Sequence, residues 1–278
     1  MSADLIGPLR QRGEIELDGD GGLHFHGEAG RLYRWLDDAL EQISLAAGAT
    51  AFVGADTIDR GILETADYFE SFADGAIATS EEGTAYLPPA ACYQVYPSMR
   101  DIRLDAGRHV CVAAGCGRHE VRTAEELGRL QRFRMREAVF LGSSDWVSAE
   151  RHEWMDRVSA FAASMGIAGT LETATDTFFG SEGRGRRLIQ QLKNLKYELR
   201  VDAGSAGRLA VASFNLHETF FTSRFGIGPM ADGSQAVSGC VAFGLERWTL
   251  ACLARHGSSL AEIDAIVERG VPRFTTNT

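Results

Sequence analysis

The sequence predicts an α+β fold in which helices flank an antiparallel sheet. Long segments with apolar residues three and four positions apart are typical of amphipathic helices. Short alternating or β-branched segments bounded by glycine or polar turns indicate strands. The strands are concentrated in the second half of the chain and are joined by connections of uneven length, which favours helices against an antiparallel sheet. Because no linker, repeat or low-complexity tract divides the 278 residues, a single domain over 1–278 is expected.

Four helices are predicted in chain order. The first covers 29–49, where the apolar residues with helical spacing are Leu32, Trp35, Leu36, Ala39, Leu40 and Ile43. A shorter helix follows at 62–72, and another at 148–166 carries one apolar face. The last begins at Ser259, has Glu262 three residues on as a capping box, and ends at Gly270. The predicted strands are 109–115, 138–142, 169–174, 196–202 and 208–216.

Charge and composition narrow the class of protein. A net charge of -10 argues against unspecific nucleic-acid binding by the chain as a whole. Five cysteines without scaffold-like spacing indicate reduced thiols or metal ligands rather than a disulfide framework. No apolar run reaches 18 residues and the first residues do not resemble a signal peptide, so no membrane contact and a cytoplasmic location are expected.

Two arginine-bearing segments contain candidate binding residues for carboxylate and phosphate groups. CGRHE contains Arg118 and Glu120 and is followed by RFRMRE at 132–137, whereas SGCVAFGLERW supplies Glu246 and Arg247. A planar guanidinium can bind carboxylate and phosphate oxygens bidentately and neutralise the charge that develops when a carboxylate attacks a phosphate. The alternative for both arginines is an ordinary solvated surface charge.

In their order and separation these segments resemble motifs 2 and 3 of the class II aminoacyl-tRNA synthetases, where two antiparallel strands and a following helix hold a bent ATP. The intervening KYELR and SFNLHETFF resemble core strands of seryl-tRNA synthetase. The resemblance implies that Arg118 binds the α-phosphate and Arg247 the γ-phosphate. It also implies an ATP site that includes Glu120, an adenine-stacking aromatic (Phe133 or Phe140), and Mg²⁺ bound with ATP. Asn215 is the nearest polar residue to the expected magnesium position, and Glu198 is an alternative magnesium or substrate contact.

Three further segments are ACYQVYP around Cys92, RMREAVF around Glu137 and SGCVAFG around Cys240. They resemble the zinc ligands of the amino acid:[carrier protein] ligases, a seryl-tRNA synthetase-like group, over most of the chain from about residue 30. The resemblance implies one zinc per chain, with an open fourth position for the substrate amine.

Alternatives to this zinc site remain open at the level of sequence. Cys240 could be a small hydrophobe in an apolar helix, and Cys111, Cys116 and His119 lie close enough in sequence to form a rival site. Cys252 is interpreted as packing, and His217 as a core histidine or a neighbour of the ligands.

The reaction implied by the resemblance has two steps. A small amino acid, glycine or alanine, reacts with ATP to give an aminoacyl adenylate, which is then transferred to the phosphopantetheine thiol of an acyl carrier protein. Only a short segment rich in glycine and charge precedes the first predicted helix, so no tRNA-binding domain and no tRNA partner are expected. A non-catalytic, amino-acid-binding paralogue with a regulatory role is the alternative. A zinc hydrolase is disfavoured because no His-Glu-x-x-His signal is present, and a homodimer is expected by analogy.

A basic segment suggests where the carrier protein would bind. Residues 183–200 hold six basic residues and one acidic residue, a positive island that suits an acidic partner. We interpret 183–200 as a carrier-docking insertion with Arg184, Arg186, Arg187 and Lys193 as its contacts. A solvated helix face or ATP contacts are the alternatives.

Overall fold

The structure is a computed structural model that describes residues 6–19, 21–72, 75–119, 129–176, 190–203 and 208–269. The strands within these ranges are β1 (Ile15–Leu17), β2 (Leu23–Phe25), β3 (Thr50–Val53), β4 (Ile58–Asp59), β5 (Ala85–Tyr86), β6 (Arg108–Gly117), β7 (Arg132–Gly142), β8 (Gly169–Thr173), β9 (Lys196–Asp202), β10 (Arg208–Glu218) and β11 (Val237–Gly244). All five strands predicted from the sequence are present.

The helices confirm the amphipathic patterns, with shifted ends. They are α1 (Ile6–Gln11), α2 (Gly27–Ala46), α3 (Arg60–Thr65), α4 (Tyr68–Ser71), α5 (Ser144–Ser164), α6 (Phe220–Arg224), α7 (Leu245–His256) and α8 (Leu260–Arg269), with 3-10 helices at Ala91–Gln94 and Tyr96–Met99. The helix predicted at 62–72 is divided into α3 and α4 because Asp67 between them has a left-handed φ of 49°. The capping box before α8 is confirmed, since the Ser259 and Glu262 side chains each accept the other's backbone N–H.

Seven strands form the central sheet in the order β3-β6-β7-β11-β10-β9-β8. Every neighbouring pair is antiparallel except β3 with β6, which is parallel. The sequence predicted an antiparallel sheet and did not predict β3. That strand is four residues long and mostly exposed, so it lacks the buried apolar residues that mark the longer strands of the sheet.

The two faces of the sheet have different coverings. Helices α2, α5 and α7 pack on one face around the larger core, whose fully buried members include Trp154 and Trp248. The 3-10 helices and α6 cover the other face with a second apolar cluster. Along β7, Ala138 and Phe140 belong to the first cluster and Val139 and Leu141 to the second, as strand alternation requires. The odd-numbered residues of β7 therefore face the second apolar cluster, under the 3-10 helices and α6.

A buried ion-pair network joins the sheet to α2. Arg136 on β7 donates from Nε to Asp37 at 2.6 Å and from Nη1 to Glu41 at 3.0 Å. The guanidinium is buried, so these carboxylates compensate its desolvation. Within the described ranges, no helix combines the length and the apolar character needed to cross a membrane.

Candidate active site

Three acidic side chains from distant segments meet on the second face of the sheet. Cys92 lies on the first 3-10 helix, Glu137 on β7 and Cys240 on β11, and their ligand-type atoms all lie within 4.8 Å of one another. The register explains the meeting of the two strands, because Glu137 pairs with Ala242 and Cys240 pairs with Val139. Glu137 and Cys240 are thus diagonal neighbours on one face.

All three side chains are buried, with at most 4% of their surface exposed. The Cys92 backbone N–H donates to Glu137 Oε1 at 3.2 Å. The thiol hydrogen bond to Cys240, together with burial and the nearby Glu137 charge, raises the pKa of Cys92 well above its ordinary value. Burial raises the pKa of Glu137 as well, against the opposing hydrogen bonds of the two thiols. The electrostatics of this pocket therefore disfavour three ionised groups together unless a cation is bound.

Polar side chains contact the Cys240 sulfur and connect it to further buried hydroxyl groups. Asn215 Nδ2 donates to this sulfur at 3.4 Å, and His217 Nε2 lies 3.7 Å from it. The Nδ1 atom of His217 lies 3.1 Å from the Tyr96 hydroxyl and 3.3 Å from Ser238 Oγ. Desolvation by burial lowers the pKa of His217 to about 4, so its imidazole is neutral. The Asn215 amide, which is expected near ATP and magnesium from the sequence, contacts the Cys240 sulfur.

The first arginine of the predicted pair follows β6 and lies above the neighbouring strand. The Arg118 guanidinium is 4.8 Å from the centre of the Phe133 ring, a cation–π contact. Its Nε is buried and has no hydrogen-bond partner among the described residues. Phe140 is fully buried in the larger core, on the opposite face, so it cannot stack on a ligand. Phe133 is the accessible aromatic of the two.

The second arginine, Arg247, lies in the first turn of α7. Arg247 donates from Nη1 to the Ala210 carbonyl of β10 at 3.0 Å, next to the bulge between Ala210 and Ala212. The preceding residue, Glu246, is buried and accepts the Arg134 backbone N–H at 2.9 Å and the Tyr33 hydroxyl at 3.3 Å. Glu246 therefore fixes the start of the helix that carries Arg247.

Strand β9 adds charged groups to the sheet face that carries Glu137 and Cys240. Glu198 pairs with Ser213, which pairs with Ala242, the partner of Glu137. Its carboxylate accepts from Arg200 at 2.6 Å and lies 3.8 Å from Lys196. Lys196 also forms a close ion pair with Asp176. Burial raises the pKa of Asp176, but the Lys196 charge outweighs it and the pKa lies below its ordinary value.

The alternatives to the zinc site can be compared with the described residues. Cys240 lies in a strand rather than a helix. The only group of three or more potential metal ligands found there is Cys92, Glu137 and Cys240, so Cys111, Cys116 and His119 do not converge. Cys111 instead contacts Arg136 Nη1 at 3.5 Å, and Cys252 is buried in the larger core, as predicted.

The basic island is only partly covered by the described residues. Glu120, Arg184, Arg186 and Arg187 lie outside them. Lys193 is described and forms an ion pair with Glu218 at 2.9 Å. Residues 196–200 of the proposed insertion lie in β9, where Lys196 and Arg200 have carboxylate partners.

The sheet order, with motif-like strands β6 and β7 and the β11–α7 unit, is the fold of a class II aminoacyl-tRNA synthetase catalytic domain. The chain superimposes on the M. kandleri seryl-tRNA synthetase, solved with A. aeolicus tRNASec, with a TM-score of 0.81 at 21% identity, over 97% of this chain and 60% of that one. For the Pyrococcus horikoshii seryl-tRNA synthetase, solved with ATP, the TM-score is 0.74 at 15% identity, over 91% and 58%. These likenesses confirm the predicted fold.

Sequence comparison supplies a nearer relationship. The chain is 40% identical over 178 residues to amino acid–[acyl-carrier-protein] ligase 1 of Bradyrhizobium diazoefficiens, which is 63% of this chain and 54% of that protein. It spans about half the length of the curated relatives it matches, and no protein-family model matches it. The chain therefore has the class II synthetase fold of the seryl-tRNA synthetases and is similar in sequence to the amino acid–[acyl-carrier-protein] ligases, as its motifs predicted.

Several residues of this face were missed or undervalued by the sequence reasoning. Asp176 stands in an irregular segment with no motif around it. Tyr96 lies within the ACYQVYP segment around Cys92, but the sequence assigned it no role, and only the folded chain brings both residues to the sheet. His217 carried a usable signal, because Ser213, Asn215 and His217 alternate along β10 and share the face of Cys240. Lys196 is two residues before Glu198 and could have been assigned to the same face by that rule.

Proposed function

We propose that the protein activates a small amino acid, glycine or alanine, with ATP and transfers it to the phosphopantetheine thiol of an acyl carrier protein. The observation that carries the proposal is the buried group of Cys92, Glu137 and Cys240 on the same sheet face as Arg118, in a chain related to amino acid–[acyl-carrier-protein] ligases. Glycine or alanine as the substrate comes from the family resemblance alone.

The donor set fits one zinc ion per chain. Metal–ligand bonds of about 2.0–2.3 Å keep two ligands of one ion within roughly 4.6 Å of each other, so donor atoms within 4.8 Å need only a small shift to share an ion. Two thiolates and a carboxylate are typical zinc ligands, and three protein ligands characterise reactive rather than structural sites. A bound zinc ion would hold the substrate amine as a neutral ligand and so orient the carboxylate.

The arginines serve the first half-reaction. The substrate carboxylate oxygen attacks the α-phosphorus of ATP, a P–O bond forms, and pyrophosphate leaves. Arg118 would neutralise charge at the α-phosphate, and its buried Nε, which has no partner among the described residues, supports an anionic ligand there. Phe133, under the same guanidinium, is the proposed adenine-stacking ring, with Glu120 as a further ATP contact, and Arg247 is the proposed γ-phosphate ligand.

Mg²⁺ would enter with ATP. Glu198 is the proposed magnesium or substrate contact, because its carboxylate shares a sheet face and a cross-strand row with Glu137. The contacts of Asn215 with the Cys240 sulfur favour a place beside the amino acid over a magnesium ligand.

In the second half-reaction the carrier thiol attacks the adenylate carbonyl, a C–S bond forms, AMP leaves with the oxygen, and the thiol proton passes to solvent. The docking surface is proposed at 183–200, with Arg184, Arg186, Arg187 and Lys193 as its contacts. A homodimer is proposed by analogy with class II domains, and the exposed Val53 on edge strand β3 is 95% accessible, which suits an interface.

A regulatory, non-catalytic amino-acid-binding paralogue is the competing proposal. Amino-acid-dependent exchange of pyrophosphate into ATP, measured with each of the twenty amino acids, separates the two. Exchange with glycine or alanine supports the ligase, whereas binding of an amino acid without exchange supports the regulatory protein.

The zinc site has a matched pair of variants. Cys240→Ala should lose the bound zinc and the exchange activity, whereas Cys252→Ala, at an equally buried thiol in the larger core, should keep both. Zinc content by elemental analysis and folding by circular dichroism complete the comparison. Normal exchange by a zinc-free Cys240→Ala protein would contradict the role of the metal.

A further inference from the structure

We infer that His217 is a positioning residue of the metal site: its Nε2–H donates to the Cys240 thiolate, and the Tyr96 hydroxyl fixes the imidazole in the tautomer that can do so. The inference rests on the proposed zinc site and assigns to this chain's own residues the control of one ligand sulfur.

The distances place His217 beside the ligand group but outside it. Its Nε2 lies 3.7 Å from Cys240 Sγ, within the range of a hydrogen bond to sulfur. His217 is not a member of the group whose donor atoms all lie within 4.8 Å of one another. The imidazole is therefore placed to contact the sulfur rather than to join the three ligands.

The tautomer follows from what surrounds the other ring nitrogen. The Tyr96 hydroxyl is 3.1 Å from Nδ1, and the Ser238 hydroxyl is 3.3 Å from the same atom. Tyr96 and Ser238 are both fully buried, and a buried hydroxyl donates its proton where an acceptor is available. When Tyr96 donates to Nδ1, the ring proton resides on Nε2, which faces the sulfur.

Aromatic packing holds the ring in that orientation. His217 stands edge-on to Phe221, with ring centres 4.9 Å apart, and Tyr96 stacks on Phe221 at 4.2 Å with an interplanar angle of 8°. The Phe221 ring thus holds both His217 and Tyr96 in place. Rotation of the imidazole would break both the packing and the hydroxyl contact.

The consequence concerns the charge on one sulfur. With the Asn215 amide at 3.4 Å, two N–H donors converge on Cys240. Hydrogen bonds of this kind stabilise a thiolate and reduce the electron density it gives to a metal. The metal then remains a better acceptor for a neutral amine, so His217 is expected to support both metal retention and amino-acid affinity.

The test uses three variants and purified protein loaded with zinc or cobalt. His217→Phe keeps the ring packing without a donor, Tyr96→Phe removes only the hydroxyl, and His217→Gln restores an amide donor near the Nε2 position. Zinc affinity is measured by competition with a chromophoric chelator. The sulfur-to-metal charge-transfer band of the Co²⁺-substituted protein reports directly on the electron density at sulfur.

His217→Phe should weaken zinc binding by about 10- to 100-fold, the usual effect of losing such a partner, and move the cobalt band to longer wavelength. Tyr96→Phe should change both in the same direction by less, and His217→Gln should recover part of each. In steady-state exchange, KM for the amino acid should rise in His217→Phe more than kcat falls.

Unchanged metal affinity and an unchanged cobalt band in both His217→Phe and Tyr96→Phe would overturn the inference while leaving the ligase proposal intact. If His217→Phe does not fold, the Tyr96→Phe comparison decides alone. Wild-type protein that binds no zinc would overturn this role and the zinc site together, and wild-type protein that binds zinc but shows no exchange would remove only the ligase proposal.

Discussion

Glu246 gives the protein a pH-dependent stability that can be calculated from its surroundings. Its buried carboxylate accepts the Arg134 N–H and the Tyr33 hydroxyl through Oε1, while Oε2 is buried without a partner among the described residues. Desolvation by burial raises the pKa of Glu246 to about 7 from an ordinary 4.5. The protonated form is therefore the one that the fold favours.

The sign and size of the effect follow from linkage. Because the pKa is higher in the folded state, the stabilising contribution is fully present below pH 4.5 and is lost as the pH rises through about 7. A difference of two to three units at 1.36 kcal/mol per unit amounts to about 3 kcal/mol of unfolding free energy. Glu246→Gln keeps a carbonyl acceptor and removes the titration.

The assay is urea unfolding of wild type and Glu246→Gln between pH 4.5 and 7.5. The free-energy difference between the two proteins should shift by ~3 kcal/mol in favour of the variant across this interval. Glu262→Gln is the control, since Glu262 is exposed and its hydrogen bonds with Ser259 lower the pKa of its carboxyl, so its variant should show no such gain. If the free energy of unfolding changed with pH in the same way in wild type and Glu246→Gln, the raised pKa of Glu246 would be refuted.

Three further predictions concern the ATP site, the fold and the partner. Arg118→Ala should lower kcat for adenylation by at least ~100-fold in exchange assays, whereas a loss of ATP affinity with kcat intact would assign it to ground-state binding. Arg136→Met should destabilise the protein by about 1.5–3 kcal/mol in urea unfolding, because the partly exposed Asp37 and Glu41 lose charge-assisted hydrogen bonds from Arg136, and a change below ~0.5 kcal/mol would mean that the network is solvated. Arg184→Glu with Arg187→Glu should leave exchange unchanged and slow transfer to the carrier, with wild-type transfer falling as salt rises; equal losses in both half-reactions would contradict the docking role.

The fold was predictable to the extent that its pattern is local. The face of α2 and the buried strands β6, β7, β9 and β10 depend on a period that can be read within a dozen residues. Edge strand β3 and the break at Asp67 depend on exposure and on a backbone conformation, and neither leaves a periodic signal.

The candidate site was predictable only where a motif named its residues. Cys92, Glu137 and Cys240 are separated by 45 and 103 positions, and no spacing rule joins them. Their meeting depends on the β7–β11 register and on the 3-10 helix that packs over the sheet. Tyr96 lies in the segment around Cys92, but its contact with His217 spans 121 positions and cannot be predicted from that segment alone.

Two buried carboxylates with raised pKa values, Glu246 and Glu137, differ in what surrounds them. Glu246 is surrounded by an N–H and a hydroxyl donor, so protonation of one group is enough to satisfy that site. Glu137 is surrounded by two thiols that are acids themselves, so neutralising the carboxyl alone still leaves two weak donors packed against one another. Hydrophobic side chains would fill the same space without this cost. The proposed cation would remove this cost, because a bound metal ion balances the charge of the three acids that meet here.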